Sequence, residues 1–441
     1  MDSISSAPAQ DQPDASAQDQ QGPAFEGPSI LSRNSGVLDS TGKPLEFGMF
    51  AKFSGVYDSG LTPVIAAGQE TPLATQTGYG IETSFGAAFS RRWRRSKLTV
   101  EYRGAYREYA TASLLNGLDQ FLQLAYSRVL QRHFVLDFKT TLGTTTLANG
   151  AFTYLPVTTL DLLGLPTNEL FDNRTEYLQS RLDLTWQKTA RLSFGFGGDG
   201  FLVRRQSLLL AGLNGYTARA SVAYRLTPRQ TISASYNNTY FDYQRAFGNS
   251  RLQIPALGYS AAFARHWDLS TQAGVARVAT LGLTQVALDP AIAALVGESF
   301  ATVTFSRVSY LPVAEARLIR KFKTSSLTFD YTMGVTPGNG YYLTSRQTSA
   351  TIGYSYIAGK AWEVRGNAGF NELSALGQAL GKYTNMQEGV EAFYNLTRAA
   401  HLDVRYDYRH YTTENVILQK DSNRVSLGLA FSLGDLFESV R

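Results

Sequence analysis

Cysteine is absent from the 441 residues, which excludes a disulfide framework and thiolate metal sites. Histidine occurs four times. His133, His266, His401 and His410 each border an expected turn or strand end and do not cluster as metal ligands do. Long apolar runs are missing too: the longest, such as 208–213 and 291–296, fall far short of the ~20 residues a transmembrane helix needs. If the chain spans a bilayer, strands are the element left to do it. Charged residues make up only 17%, and the 41 basic ones form no block despite a net charge of +5, which argues against a nucleic acid partner. Residues 1–21 hold neither a basic n-region nor an apolar h-region.

What the chain has is alternation. Leu402, Val404, Tyr406 and Tyr408 fall on one face of a strand, and Asp403, Arg405, Asp407 and Arg409 on the other. A period of two is that of a β-strand with chemically opposite faces. The pattern recurs in stretches of about 12–15 residues, longer than the 5–6 typical of globular sheets. Tyr and Phe number 25 each and Gly 39, a mixture suited to strands, aromatic girdles and tight turns.

Strands are expected from Leu45, Gly78 and Lys97, then near 118–130, 133–147, 175–188, 190–204, 214–226, 229–244, 255–265 and 268–280. The remainder lie near 309–321, 325–337, 342–357, 361–373, 384–397, 400–414 and 423–432. The total is about 18, with 16 as the alternative, and the alternation is shallowest between 250 and 322, where Pro255 and Pro312 interrupt it. Short, often basic connections such as Arg92 to Ser96 alternate with long ones such as 148–174 and 281–308. Outer-membrane barrels place short turns on the periplasmic side and long loops outside, so both termini are expected in the periplasm.

The fold class read from this pattern is all-β: a transmembrane, antiparallel, up-and-down β-barrel over residues 41–433. Residues 1–40, rich in Gln, Asp, Ala, Ser and Pro, are expected to be disordered, and 434–441 to form a short tail. Ala7-Pro8-Ala9 before Gln10-Asp11-Gln12 reads as a cleavage site with the first mature residues after it, so a start upstream is expected; a chance likeness within a disordered tail is the alternative. Gly27-Pro28-Ser29-Ile30-Leu31-Ser32-Arg33 is the one part of that region expected to dock, at the periplasmic mouth.

With these strands and loops the chain resembles the Gram-negative outer-membrane β-barrels of porin type over roughly residues 45–433. Val425, Leu427, Leu429 and Phe431 are similar to the C-terminal signal read by the barrel-assembly machinery, although Ser432 to Arg441 continue past it. The resemblance implies residence in the bacterial outer membrane, contact with its lipid, a channel for small hydrophilic solutes, no cofactor and, as one assembly, a homo-trimer. No break in the alternation marks a protein-facing sector. Two other readings stay open: a conduit or docking barrel for polysaccharide export, and a non-conducting barrel whose loops bind surface components.

The expected pore-lining acids are Glu82, Glu101, Asp137, Asp183, Glu315, Asp330, Glu363, Glu391, Asp403 and Asp407. The expected bases are Lys97, Arg103, Arg107, Lys139, Arg181, Arg219, Arg317, Arg365, Arg405, Arg409 and Arg424. Their signs nearly balance, and rings of such charge tune which ions pass a wet lumen; a buried salt-bridge network is the alternative. The apolar face carries Tyr126, Phe134, Phe138, Trp186, Tyr224, Tyr236, Phe263, Tyr354, Trp362, Tyr394 and Tyr406, suited to interfacial girdles. The 147–174 connection holds too much apolar surface to leave in water. By its position it resembles the inward-folding loop of general porins, which implies a constriction in which Asp161, Glu169 and Asp172 face Arg103, Arg107 and Arg181. An external cap or a subunit contact is the alternative.

Enzymatic chemistry is not expected. Gly195-Phe196-Gly197-Gly198-Asp199-Gly200 has the letters of a dinucleotide fingerprint but sits inside an alternating strand, with no helix N-terminus to receive a pyrophosphate. His410, Asp421 and Ser422 gather near the outer rim, and a polar strand end accounts for them.

Overall fold

The computed structural model describes residues 45–61, 76–146, 169–263, 266–288, 297, 299–359, 361–377, 381–397, 399–414 and 418–433. The expectations for 1–40 and 434–441, and for Asp161, lie outside them. The first nine strands are β1 (Leu45–Leu61), β2 (Gln76–Arg92), β3 (Ser96–Tyr109), β4 (Gly117–Gln131), β5 (Phe134–Thr145), β6 (Thr175–Gln187), β7 (Leu192–Arg205), β8 (Gly212–Thr227) and β9 (Gln230–Gln244). The second nine are β10 (Gly248–Phe263), β11 (Trp267–Ala287), β12 (Phe300–Lys321), β13 (Ser325–Thr336), β14 (Ser345–Ala358), β15 (Trp362–Ala375), β16 (Tyr383–Asn395), β17 (Ala400–Thr413) and β18 (Leu418–Leu433). Each pairs antiparallel with the next, and β18 returns to β1 from Met49↔Leu433 to Ser59↔Asn423. The sheet is therefore a closed, 18-stranded, up-and-down barrel, and closure leaves no free edge where the ring is complete.

Burial shows why the alternation closes in this sense. Leu402, Val404 and Tyr406 are 37%, 43% and 44% exposed, while Asp403 between them is 0% exposed. Apolar residues outside and charges inside invert the order of a soluble sheet, and this is the order of a wall that meets lipid. At the short-turn end Phe134 stacks on Trp186, and Trp186 on Phe194, with ring centroids 6.0 and 5.3 Å apart. Trp362 and Tyr394 meet there at 4.7 Å. These rings sit where an apolar body and a polar tip both find their medium.

Three boundaries differ most from the sequence expectation. β10 starts at Gly248 rather than near 255, β11 runs to Ala287 rather than 280, and β12 begins at Phe300 rather than 309. The stretches taken as loops zip together, since β11 and β12 pair as far as Ala287↔Phe300. Neither proline ends a strand. Pairing of β10 with β11 passes from Gln253↔Arg277 to Ala256↔Gly274 around Pro255. Pro312 lies beyond Ala314↔Met333, the last rung between β12 and β13, where a missing N–H costs no ladder bond. Among the described residues, 300–313 thus have a strand partner on one side only. Phe305 lies over its cross-strand partner Gly282 and against Gly377, whose φ of +125° suits glycine. The hairpin thereby leans on the connection that follows β15.

A turn at the end of β13 carries a first test. Gly338 has φ +82°, and a Cβ there would overlap the carbonyl of Tyr342. Gly338→Ala is expected to lower stability by about 1–2 kcal/mol through left-handed strain, read as a lower urea midpoint in lipid vesicles. Gly353→Ala, where a Cβ meets nothing within 4 Å, leaves the midpoint unchanged.

Candidate functional site

The inner face of the ring carries the expected charges, and most are held in pairs. Several ladders lie along one strand, because residues two apart share a face. Arg103 Nε donates to Glu101 at 2.5 Å, Arg181 Nε to Asp183 at 2.5 Å, and Arg365 Nε to Glu363 at 2.7 Å. Arg405 pairs with Asp407 at 2.6 Å. Others cross strands: Arg219 reaches Asp199 at 2.6 Å and Asp183 at 3.4 Å, and Arg317 meets Asp330 at 3.2 Å. Lys52, which the sequence reading omitted, pairs with the fully buried Asp403. Glu391 stands opposite both Arg365 and Arg405 in register. Asp137 and Lys139 stand opposite Asp183 and Arg181, Lys97 opposite Arg92, and Glu315 opposite Gln272 and Thr332.

The densest network lies toward the long-loop end. Glu82 accepts from Arg107 Nε at 2.6 Å and from Arg424 Nη2 at 2.7 Å. Arg107 also pairs with Asp119, which accepts from Thr146 Oγ1 at 2.8 Å. Arg424 reaches Asp58 at 3.6 Å, and Tyr109 donates its hydroxyl to the same carboxylate at 2.5 Å. Charges taken from water are tolerated only with such multiple partners. Five strands are clamped by the set: β1, β2, β3, β4 and β18.

Apolar and aromatic side chains also occupy the inside at this end, which the sequence reading missed. One cluster joins Phe121, Tyr177, Phe201, Val203, Leu213, Phe241, Tyr243, Leu252, Ala276, Val278 and Val335 from eight strands. The signal was present in β9: Phe241 and Tyr243 share the parity of Asn237 and Thr239, not that of the outward Ile232 and Tyr236. Tyr243 donates its hydroxyl to the Pro337 carbonyl at 3.1 Å and shares a hydrogen bond with Thr344 at 2.8 Å. A second cluster joins Leu170, Tyr342, Leu373, Tyr383 and Tyr411. Burial pushes the Tyr342 phenol up to about 12, so this loop tyrosine stays neutral at ordinary pH.

Leu170 belongs to the segment entering β6, and this segment reaches across the ring. Glu169 is gripped by Arg205 of β7, Nη2 to Oε1 at 2.6 Å, with both side chains about 95% buried. The Glu169 carbonyl accepts from Arg409 Nη2 of β17 at 2.7 Å, and the same guanidinium donates to Tyr383 Oη at 2.7 Å and Asn385 at 2.9 Å. In the 18-membered ring, β7 and β17 are eight steps apart one way and ten the other, so this one residue links strands from nearly opposite sides of the ring. The expected partners are thereby corrected. Glu169 meets Arg205 and Arg409, because Arg103, Arg107 and Arg181 are already taken by Glu101, by Glu82 with Asp119, and by Asp183. Buried Asp172 lies near Lys420 and Arg409.

At the rim His410 Nδ1 lies 2.7 Å from Asp421, which also accepts from the Tyr408 hydroxyl at 2.6 Å. Ser422 donates to the Ser59 carbonyl and, one residue from Asp421, projects to the opposite face of the wall. A serine nucleophile with this histidine as its base is therefore not assembled. Gly195 to Gly200 lie inside β7. Among the described residues no group of three or more acids and histidines is placed to hold a metal.

The chain matches no protein-family model, and no curated protein is similar to it in sequence. Among solved structures it is similar to OccAB4 of Acinetobacter baumannii, at 11% identity and a TM-score of 0.42, with 90% of this chain and 100% of that one covered. It is also similar to OccK2 of Pseudomonas aeruginosa, solved in complex with glucuronate, at 11% identity and TM-score 0.45, with 88% and 98% covered. The outer membrane protein OpdK of the same organism aligns at 11% identity and TM-score 0.44, with 88% and 99% covered.

Proposed function

We propose that the chain is an outer-membrane channel through which small hydrophilic solutes diffuse passively, with the paired charges as its lining and the segment at Glu169 as its constriction. The observation that carries this reading is the closed ring with an apolar exterior and an ion-paired interior. A wall of mutually neutralised charges offers polar solutes many hydrogen-bonding groups and little net field, which favours weak ion selectivity over capture of one charge type. The same balance disfavours a conduit for an anionic polymer. No catalytic residue, cofactor or metal enters this proposal.

Reconstitution in planar bilayers tests it directly. Discrete single-channel steps with a cation-to-anion permeability ratio near one are expected. A barrel that folds and inserts yet conducts nothing would refute the channel and leave the surface-binding reading. The constriction has its own test in the deletion of residues 152–168, which lie outside the described residues: conductance rises while the barrel stays heat-modifiable on gels. An unchanged conductance in the folded deletion variant assigns that loop to an external cap.

A further inference from the structure

The outer wall near the long loops is not uniform. On β6 and β7 the outward Arg204 stands directly opposite Glu176. On β10 and β11 two outward arginines meet side-chain amides instead, and among the described residues no carboxylate pairs with them. The Arg251 Nε donates to the side-chain oxygen of Asn238 at 3.3 Å, and the Arg277 Nη1 to that of Gln253 at 3.4 Å. Arg277 stands opposite Gln253, and Arg251 opposite Ala279, so the two residues are diagonal neighbours in the sheet, their backbones about 7–8 Å apart. The nearest acid in register, Asp242, is turned to the Asn214 amide at 2.8 Å. Like charges on neighbouring positions repel, and an anion held by both relieves the repulsion.

The surroundings indicate what kind of anion. Immediately toward the short-turn end the same faces carry Pro255, Leu257 (70% exposed), Val275 and Tyr236, while Tyr310, opposite Arg277, is 68% exposed. A cationic pair thus stands directly above an apolar column of the outer wall. Guanidinium groups suit phosphate through paired N–H donors, and the amides of Asn238 and Gln253 hold them in place while keeping N–H groups of their own. A free anion would use the cations but not the column.

We infer that Arg251 and Arg277 form a binding site for the phosphate of an anionic glycolipid in the outer leaflet, whose acyl chains lie along Pro255, Leu257 and Val275. The inference rests on the membrane reading above.

The test uses the purified, folded full chain in neutral detergent, with binding followed by native mass spectrometry. The probes are diphosphoryl lipid A, the same lipid with its phosphates removed, and inorganic phosphate. Diphosphoryl lipid A is expected to bind at least tenfold more tightly than the dephosphorylated form. Arg251→Gln with Arg277→Gln removes that preference, and Arg204→Gln leaves it intact. Equal binding of both lipids, or an unchanged preference in the double variant, overturns the site. Competition by inorganic phosphate at the affinity of the lipid also overturns it, because the column would then play no part. So does an arginine-dependent dimer in place of bound lipid. Heat-modifiability and single-channel conductance are measured on the same preparations: their loss in the unmodified chain refutes the membrane reading, whereas their retention without lipid preference refutes this site alone.

Discussion

Replacing Glu169 with alanine is expected to destabilise the folded barrel by about 3–5 kcal/mol, the cost of leaving one member of a buried ion pair uncompensated, and to raise single-channel conductance. Arg205 is 4% exposed, and its remaining acceptor is the Ala211 carbonyl at 2.6 Å. No water replaces the lost carboxylate cheaply at that depth. Arg409 keeps its bonds to Tyr383 and Asn385, so β17 holds while the segment loosens from β7. Glu169→Leu combined with Arg205→Met removes both charges and recovers most of the stability, since apolar replacement of a complete buried pair is often neutral. Urea titrations in vesicles and bilayer recordings of the three proteins decide the matter. If Glu169→Ala unfolds at the same urea concentration as the parent, the bridge contributes nothing to stability.

The second large effect separates the two faces of β17. Val404 lies on the outer wall opposite Ala392 of β16 and Leu427 of β18, with Leu402, Tyr406, Val390 and Val425 around it. Val404→Arg places a guanidinium in that apolar field and is expected to cost about 2–4 kcal/mol near the membrane midplane. Arg405→Ala, one residue on, leaves Asp407 with Arg424 opposite it, so folding is nearly intact and ion selectivity shifts toward cations. Opposite phenotypes are required of adjacent residues. Equal unfolding midpoints together with an unaltered reversal potential in Arg405→Ala would reject the assignment of faces.

Most of the strand plan was legible because each strand states its own two faces, as 402–411 does without reference to any partner. The hairpin of β11 and β12 was not. Its upper rungs are rich in Ser, Thr and Ala, whose weak contrast hides the period, and the pairing of Ala287 with Phe300 is a property of two segments together. The charge ladders were readable where acid and base stand two apart, as in Arg181 and Asp183. Arg205 was missed for the opposite reason: its partner Glu169 is 36 residues away, and no local spacing announces the pair. The apolar residues inside the outer half were assigned to neither face, although the parity of Phe241 and Tyr243 in β9 already placed those two with Asn237 and Thr239.

The bridge at Glu169 also bears on how such a ring is assembled. Its first anchor, Arg205, follows 36 residues later and its second, Arg409, 240 residues later. The loop-closure cost of the second contact grows only logarithmically with that length, but the contact has no site to form on until β17 is in place. A chain that adds strands in order therefore carries the segment tethered to β7 for the whole of its second half. Arg409 then arrives with β17, one strand before β18 meets β1, so that the last gap in the circumference closes around a strut already anchored at both ends.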